Sequence, residues 1–147
     1  MADRAATSES VFVTDAPAPG ELAVVSDGLD EFNLQQAGIQ DQRPLAVLVR
    51  DDNGRVVGGL TGRTYLGLWF VDLFYLPERL RGSGLGAEVL RRAEAEAVRR
   101  GCRSGVLYTI KFQAPGFYEK QGWRAFGEVP GDPPAATRVF LSKQLQS

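Results

Sequence analysis

Arg81-Gly82-Ser83-Gly84-Leu85-Gly86 joins an apolar run, Gly67-Leu68-Trp69-Phe70-Val71-Asp72-Leu73-Phe74-Tyr75-Leu76, to a stretch that reads as a helix over residues 87–100. The run before the junction is nearly all apolar and aromatic, the pattern of a strand buried on both faces. In the helix, Gly86, Val89, Leu90, Ala93 and Ala97 fall on one stripe, opposite the charged residues Glu88, Arg91, Arg92, Glu96 and Arg99. Gly101 supplies the stop. Strand, glycine turn and helix in this order build an anion site: the first helical turn leaves N–H groups without carbonyl partners, and the peptide dipoles add roughly half a positive charge there. Glycines without Cβ atoms let phosphate oxygens approach the main chain, and Arg81 adds a cation with a planar fork of donors.

Two phosphate-loop patterns do not match. No Gly-Lys-Ser/Thr follows at P-loop spacing, and Gly82-Ser83-Gly84-Leu85-Gly86 is G-x-G-x-G, where a dinucleotide fingerprint needs G-x-G-x-x-G.

The chain is short enough for one domain: 147 residues, with 17 basic and 18 acidic side chains and a formal charge of −1. That balance offers no basic field for nucleic acid or an anionic membrane. No apolar run approaches the roughly eighteen residues of a membrane span, and residues 1–10 are too polar for a signal peptide, so a cytoplasmic protein is expected. Cys102 is the only cysteine and there is no histidine. An internal disulfide is therefore excluded, a zinc or similar metal site is not expected, and nucleophile pairs that rely on histidine are absent.

Along the chain, residues 1–10 read as a disordered tail and residues 11–147 as a single domain. A short strand is expected at 11–14, and a helix from about Glu21 to Ala37 that Gly38 ends. Strands at 44–50 and 55–61 flank the turn Asp51-Asp52-Asn53-Gly54. Residues 105–110 form a strand parallel to 67–76, because a helix connects them. A short helix over 113–120 and strands at 123–129 and 138–145, split by the proline-rich loop 130–134, complete a mixed α+β domain.

The junction matches the R/Q-x-x-G-x-G/A signature of the GNAT superfamily of N-acetyltransferases through Arg81, Gly84 and Gly86. Pro77-Glu78 precedes it, and Phe117-Tyr118-Glu119-Lys120-Gln121-Gly122-Trp123 resembles the family's later FYEKxGF segment. Two motifs in the family's order are more specific than either alone. The resemblance implies a central mixed sheet of six to seven strands flanked by helices. Two parallel central strands would splay at their C-terminal ends to admit acetyl-CoA. It further implies backbone contacts to the cofactor's pantetheine from Leu73, Phe74 and Tyr75, and a pyrophosphate site at Arg81, Gly82, Ser83, Gly84, Leu85, Gly86 and Ala87.

Tyr118 matches the family position whose phenol protonates the departing thiolate; the alternative is a core aromatic. Asp72 is the only charge in its strand, so something must compensate it. It either faces the acceptor, orienting an amine or taking its proton, or forms a salt bridge or a cap to a neighbouring loop of purely structural value. Glu78 is a second base candidate. Lys111 stands where many relatives carry a cofactor-contacting asparagine, and it either reaches phosphate or is solvated; nearby Gln113 could supply the missing amide.

The activity implied is direct acetyl transfer from acetyl-CoA to a primary amine of a small molecule, without a metal and without an acyl-enzyme. A protein acceptor, or a catalytically silent acyl-CoA sensor, are the alternatives. A homodimer is compatible with edge strands that need covering.

Overall fold

The computed structural model describes residues 7–146. Contacts divide the chain after Ile39 into two compact units. In the first, helix α1 (Pro19–Ala37) opens with the Ala18 N–H donating to Glu21 Oε1 at 2.8 Å. It ends at Gly38, whose left-handed φ of 80° turns its N–H onto the Leu34 carbonyl. None of the side chains of α1 is buried. Residues 11–14, expected as a strand, form none: no hydrogen-bonded ladder engages them, and Val11, Phe12 and Val13 stand exposed. Apolar composition favours a strand only where a partner supplies the main-chain bonds.

The second unit is a six-stranded mixed sheet in the order β1-β2-β3-β4-β6-β5. Strands β1 (Arg43–Arg50), β2 (Val56–Tyr65) and β3 (Leu68–Tyr75) form an antiparallel meander. Helix α2 (Leu85–Arg99) crosses to β4 (Ser104–Ile110), which lies parallel to β3. Helix α3 (Gly116–Lys120), β5 (Arg124–Val129) and β6 (Arg138–Gln144) follow. The turn between β1 and β2 is closed by Asp51, whose Oδ1 accepts the N–H groups of Asn53 and Arg55.

Helix α2 buries the expected stripe, Val89, Leu90, Ala93 and Ala97, against β1 and β2, where Leu45 and Leu60 meet it. Each large apolar side chain so buried contributes about 1.5–3 kcal/mol. Arg100 clamps the end of the helix: its Nε binds Glu96, while its Nη1 reaches the Pro44 carbonyl and Thr64 Oγ1, both at 3.0 Å. Lys143 of β6 holds the other side, donating to Glu94 of α2 and to the Gln121 carbonyl just after α3, each at 2.8 Å. Cys102 is buried below this end, where loss of hydration pushes its thiol pKa up.

The strand at 67–76 is buried on one face only. Trp69 and Val71 lie in the core beneath α2, whereas Leu68, Asp72, Leu73 and Tyr75 are exposed and Phe70 is half-buried. Both faces were expected to be covered, but α2 covers one. The helix expected over 113–120 is also shorter. Residues Lys111–Gln113 form a 3₁₀ turn, Ala114 takes a positive φ, and the α-helix begins only after Pro115. Proline disfavours helical geometry in the residue before it, which breaks the run at that point.

At the centre of the core Trp69 and Trp123 pack edge to face, ring centroids 5.6 Å apart, across Gly105 of β4. A Cβ at Gly105 would lie 2.8 Å from the Trp123 ring and 2.9 Å from that of Trp69. Gly105→Ala should therefore destabilise the protein by about 1–3 kcal/mol. Urea titration should show a lower midpoint with an unchanged slope; an unchanged midpoint would mean that the two rings yield freely.

Candidate active site

Strands β3 and β4 pair only through Leu68↔Ser104, Trp69↔Gly105 and Phe70↔Val106. Both continue, to Tyr75 and Ile110, but no ladder joins them beyond Phe70. Val71, Leu73, Phe74 and Tyr75 stay paired with β2, and the edge that faces β4 is left unpaired. A cavity of about 390 Å³ fills the gap, lined by Asp72, Leu73, Phe74 and Tyr75 on one side and by Tyr108 and Thr109 on the other. Main-chain groups in such a gap can be met by the amides of an extended ligand, as in strand addition.

A β-bulge precedes the unpaired edge: Thr61 pairs with Leu73 and Gly62 with Val71, so Asp72 is the extra residue. The bulge needs Gly62, since a Cβ there would sit 2.0 Å from the Phe70 carbonyl oxygen. Beyond it, Phe74 turns inward to pack against Phe117 and Tyr118, and Asp72 is left exposed. There Arg63 of β2 meets it, one guanidinium nitrogen donating to both carboxylate oxygens at 2.9 and 3.1 Å. The compensation that the sequence demanded for Asp72 is this half-exposed ion pair. Such pairs contribute at most about 1 kcal/mol, so stability alone gives little reason for it.

The glycine turn lies where β3 leads into α2. Gly82 and Gly84 adopt φ of 77° and 86°, and nothing stands within 4 Å of where their Cβ atoms would be. The first intrahelical bond runs from the Glu88 N–H to the Gly84 carbonyl, and no side chain caps the helix. The N–H groups of Leu85, Gly86 and Ala87 thus open onto the turn. Ser83 Oγ donates to the Leu80 carbonyl at 2.8 Å, and Arg81 Nε to the Leu76 carbonyl at 2.9 Å with its guanidinium beside the Tyr75 ring. Arg81 therefore fixes the turn through Nε, and its terminal nitrogens make no hydrogen bond among the described residues. Gly86 differs from its neighbours: a Cβ there would make ordinary 3.5 Å contact with Phe117, so this position seats α2 against α3.

A cavity of about 430 Å³ extends from the turn, lined by Arg81, Gly82, Gly84, Gly86 and Ala87 and, opposite, by Gln113, Phe117 and Tyr118. Tyr118 and Phe74 border this cavity and the gap alike. The Tyr118 ring is held edge-on by Phe74, Phe117 and Trp123, and burial pushes its phenol pKa up to about 12. The phenol stays protonated throughout the neutral range. Gln113, read from the sequence only as a nearby amide, is part of both walls. Its Oε1 accepts the Ile110 N–H at 2.9 Å and the Thr109 hydroxyl at 3.3 Å, and its amide nitrogen has no hydrogen-bond partner among the described residues. Lys111 points to Glu128 at 3.9 Å, both exposed, and Glu78 sits in an exposed 3₁₀ turn. Neither lines the gap or the turn cavity.

The residues from 13 to 123 match the model of the Acetyltransferase (GNAT) family. The chain belongs to the GNAT family. An acetyltransferase of Agrobacterium fabrum is 37% identical over 114 residues, 78% of this chain and 82% of that protein. A blasticidin-S acetyltransferase of Streptomyces morookaense is 36% identical over 116 residues, 76% of this chain and 85% of that one. Among solved structures, an acetyltransferase from Bacillus cereus superposes with a TM-score of 0.76 at 26% identity, covering 90% of this chain and 97% of its own. This GNAT protein is an acetyltransferase, with acetyl-CoA as its co-substrate. Among the described residues no three histidine, cysteine or acidic side chains gather where they could hold a metal ion, and no helix is long and apolar enough to cross a membrane.

Two expectations follow. A left-handed φ strains a β-branched residue by about 1–3 kcal/mol, whereas asparagine tolerates it. Gly84→Val should weaken acetyl-CoA binding at least about tenfold in calorimetry, and Gly84→Asn should do so less; equal affinities would remove the turn from the cofactor site. The Tyr118 phenol ionises near pH 10 when unfolded and about 12 when folded, so above pH 10 the unfolded state binds fewer protons. Stability should be intact below pH 10 and fall towards pH 12, and Tyr118→Phe should flatten that decline in urea titrations.

Proposed function

We propose that this acetyltransferase moves the acetyl group of acetyl-CoA directly onto the primary amine of a small molecule, without an acyl-enzyme intermediate. The observation that carries the proposal is the shared border of the two cavities: one side chain, Tyr118, lines both the cavity at the glycine turn and the gap between β3 and β4.

In this reading Arg81, Gly82, Ser83, Gly84, Leu85, Gly86 and Ala87 bind the diphosphate through main-chain N–H groups and the terminal nitrogens of Arg81. The unpaired edge at Leu73, Phe74 and Tyr75 bonds the pantetheine amides, and a main-chain N–H of that edge polarises the thioester carbonyl. Asp72, at the far side of the gap, receives an N–H of the incoming amine and takes its proton directly or through a water. The amine nitrogen bonds to the acetyl carbon as the carbon–sulfur bond breaks, and Tyr118 hydrogen-bonds the departing sulfur and passes it a proton. Most of the rate comes from holding amine and thioester together.

A small-molecule acceptor is supported by the relative whose name specifies blasticidin S, and by the modest size of the gap. The cytoplasmic, single-domain reading of residues 11–147 and a homodimer belong to the same proposal.

Tyr118→Phe should lower kcat by roughly 10²-fold or more and leave acetyl-CoA affinity close to that of the parent. A free-thiol assay with an accepted amine, paired with calorimetry, measures both; full turnover in the variant would end the acid role. Acetyl-CoA binding with no thiol release against any amine would instead favour a ligand sensor.

A further inference from the structure

Asp72 and Tyr108 line both the gap and a second cavity of about 470 Å³; Arg63, Phe70 and Phe140 line only the second. From Tyr118 outwards, Asp72 and Tyr108 therefore come first, and Arg63, Phe70 and Phe140 follow. Arg63 lies over the Phe70 ring, 4.5 Å from its centroid, and a single nitrogen, Nη1, serves Asp72. Its Nε and Nη2 make no hydrogen bond among the described residues. The guanidinium is thus pinned in plane by a ring and a carboxylate while still offering donors to the cavity. Tyr108 and Phe140 stack at 5.4 Å beside it, with Tyr108 half-exposed.

We infer that this second cavity is the acceptor subsite and that it selects an aromatic α-amino acid or a close relative, a molecule carrying a primary amine, a carboxylate and a flat apolar group. The inference rests on the acetyl-transfer reading above and deepens it. Asp72 and Arg63 neutralise each other, so the pair attracts no simple cation strongly. A zwitterion fits both members at once: its amine meets Asp72, on the side nearest Tyr118, and its carboxylate meets the idle donors of Arg63. The flat group then lies on Tyr108 and Phe140. A site built around paired charges favours the zwitterion over an analogue lacking one charge, because that analogue displaces water from the unmatched partner without replacing its hydrogen bonds.

The test is a free-thiol assay at saturating acetyl-CoA with L-phenylalanine, 2-phenylethylamine, which lacks only the carboxylate, and L-alanine, which lacks only the ring. Phenylalanine should exceed both in kcat/KM by roughly tenfold or more, mainly through KM. Arg63→Met keeps the apolar stem over Phe70 and should bring the phenylalanine to phenylethylamine ratio close to one, while Arg63→Lys should restore part of it. Calorimetry with acetyl-CoA accompanies each protein. Parity or preference for phenylethylamine, a ratio that survives in Arg63→Met, or no turnover of phenylalanine by a protein that binds acetyl-CoA would each overturn the inference, and parity of alanine with phenylalanine would overturn the aromatic wall. Failure to bind acetyl-CoA at all would overturn the reading beneath it.

Discussion

Three residue pairs of parallel ladder, ending at Phe70↔Val106, hold β3 and β4 together. Had the ladder continued to Tyr75 and Ile110, the main-chain groups of the two strands would have satisfied one another and no gap would exist. Its interruption leaves polar backbone beside a cavity, a cost that folded chains accept mainly where a ligand or water takes over the bonds. Trp69, Trp123 and Gly105 lock the paired end, so the strands are rigid on one side of the split and open on the other.

The rest of the molecule supports that arrangement from outside. Helix α2 is fastened to β1 and β2 by its apolar stripe and by Arg100, and to β6 by Lys143. Its N-terminus is thereby presented at the end of the gap. Lys143 also binds the chain just after α3, which carries Tyr118. One helix start and one phenol, distant in sequence, thus line a single cavity, with Phe117 packed between Gly86 and the Tyr118 ring.

Much of this was legible in the residues themselves. The stripe along α2, the hairpin turn at Asp51, the stop at Gly38 and the parallel relation of β3 to β4 follow from local periodicity and turn chemistry, which act over a few residues. The glycine turn carried its own reading, because positive φ and missing Cβ atoms are properties of glycine alone. Other features were hidden. Residues 11–14 have strand-like composition but no ladder. Residues 67–76 look equally apolar on both sides, though α2 covers one face. Arg63 gave no signal, since a lone arginine in a β-branched and glycine-rich strand is ordinary.

The amino-acid sequence by itself determined the order of elements, the glycine turn that opens α2 and the family to which the chain belongs, because each rests on neighbours along the chain. Tertiary structure decided where the parallel ladder stops, that a bulge at Asp72 turns its carboxylate towards Arg63, and that Tyr118, Gln113 and the glycine turn share one cavity. These depend on register between strands and on which face a helix covers, quantities set by packing across the whole sheet rather than by any local run of residues.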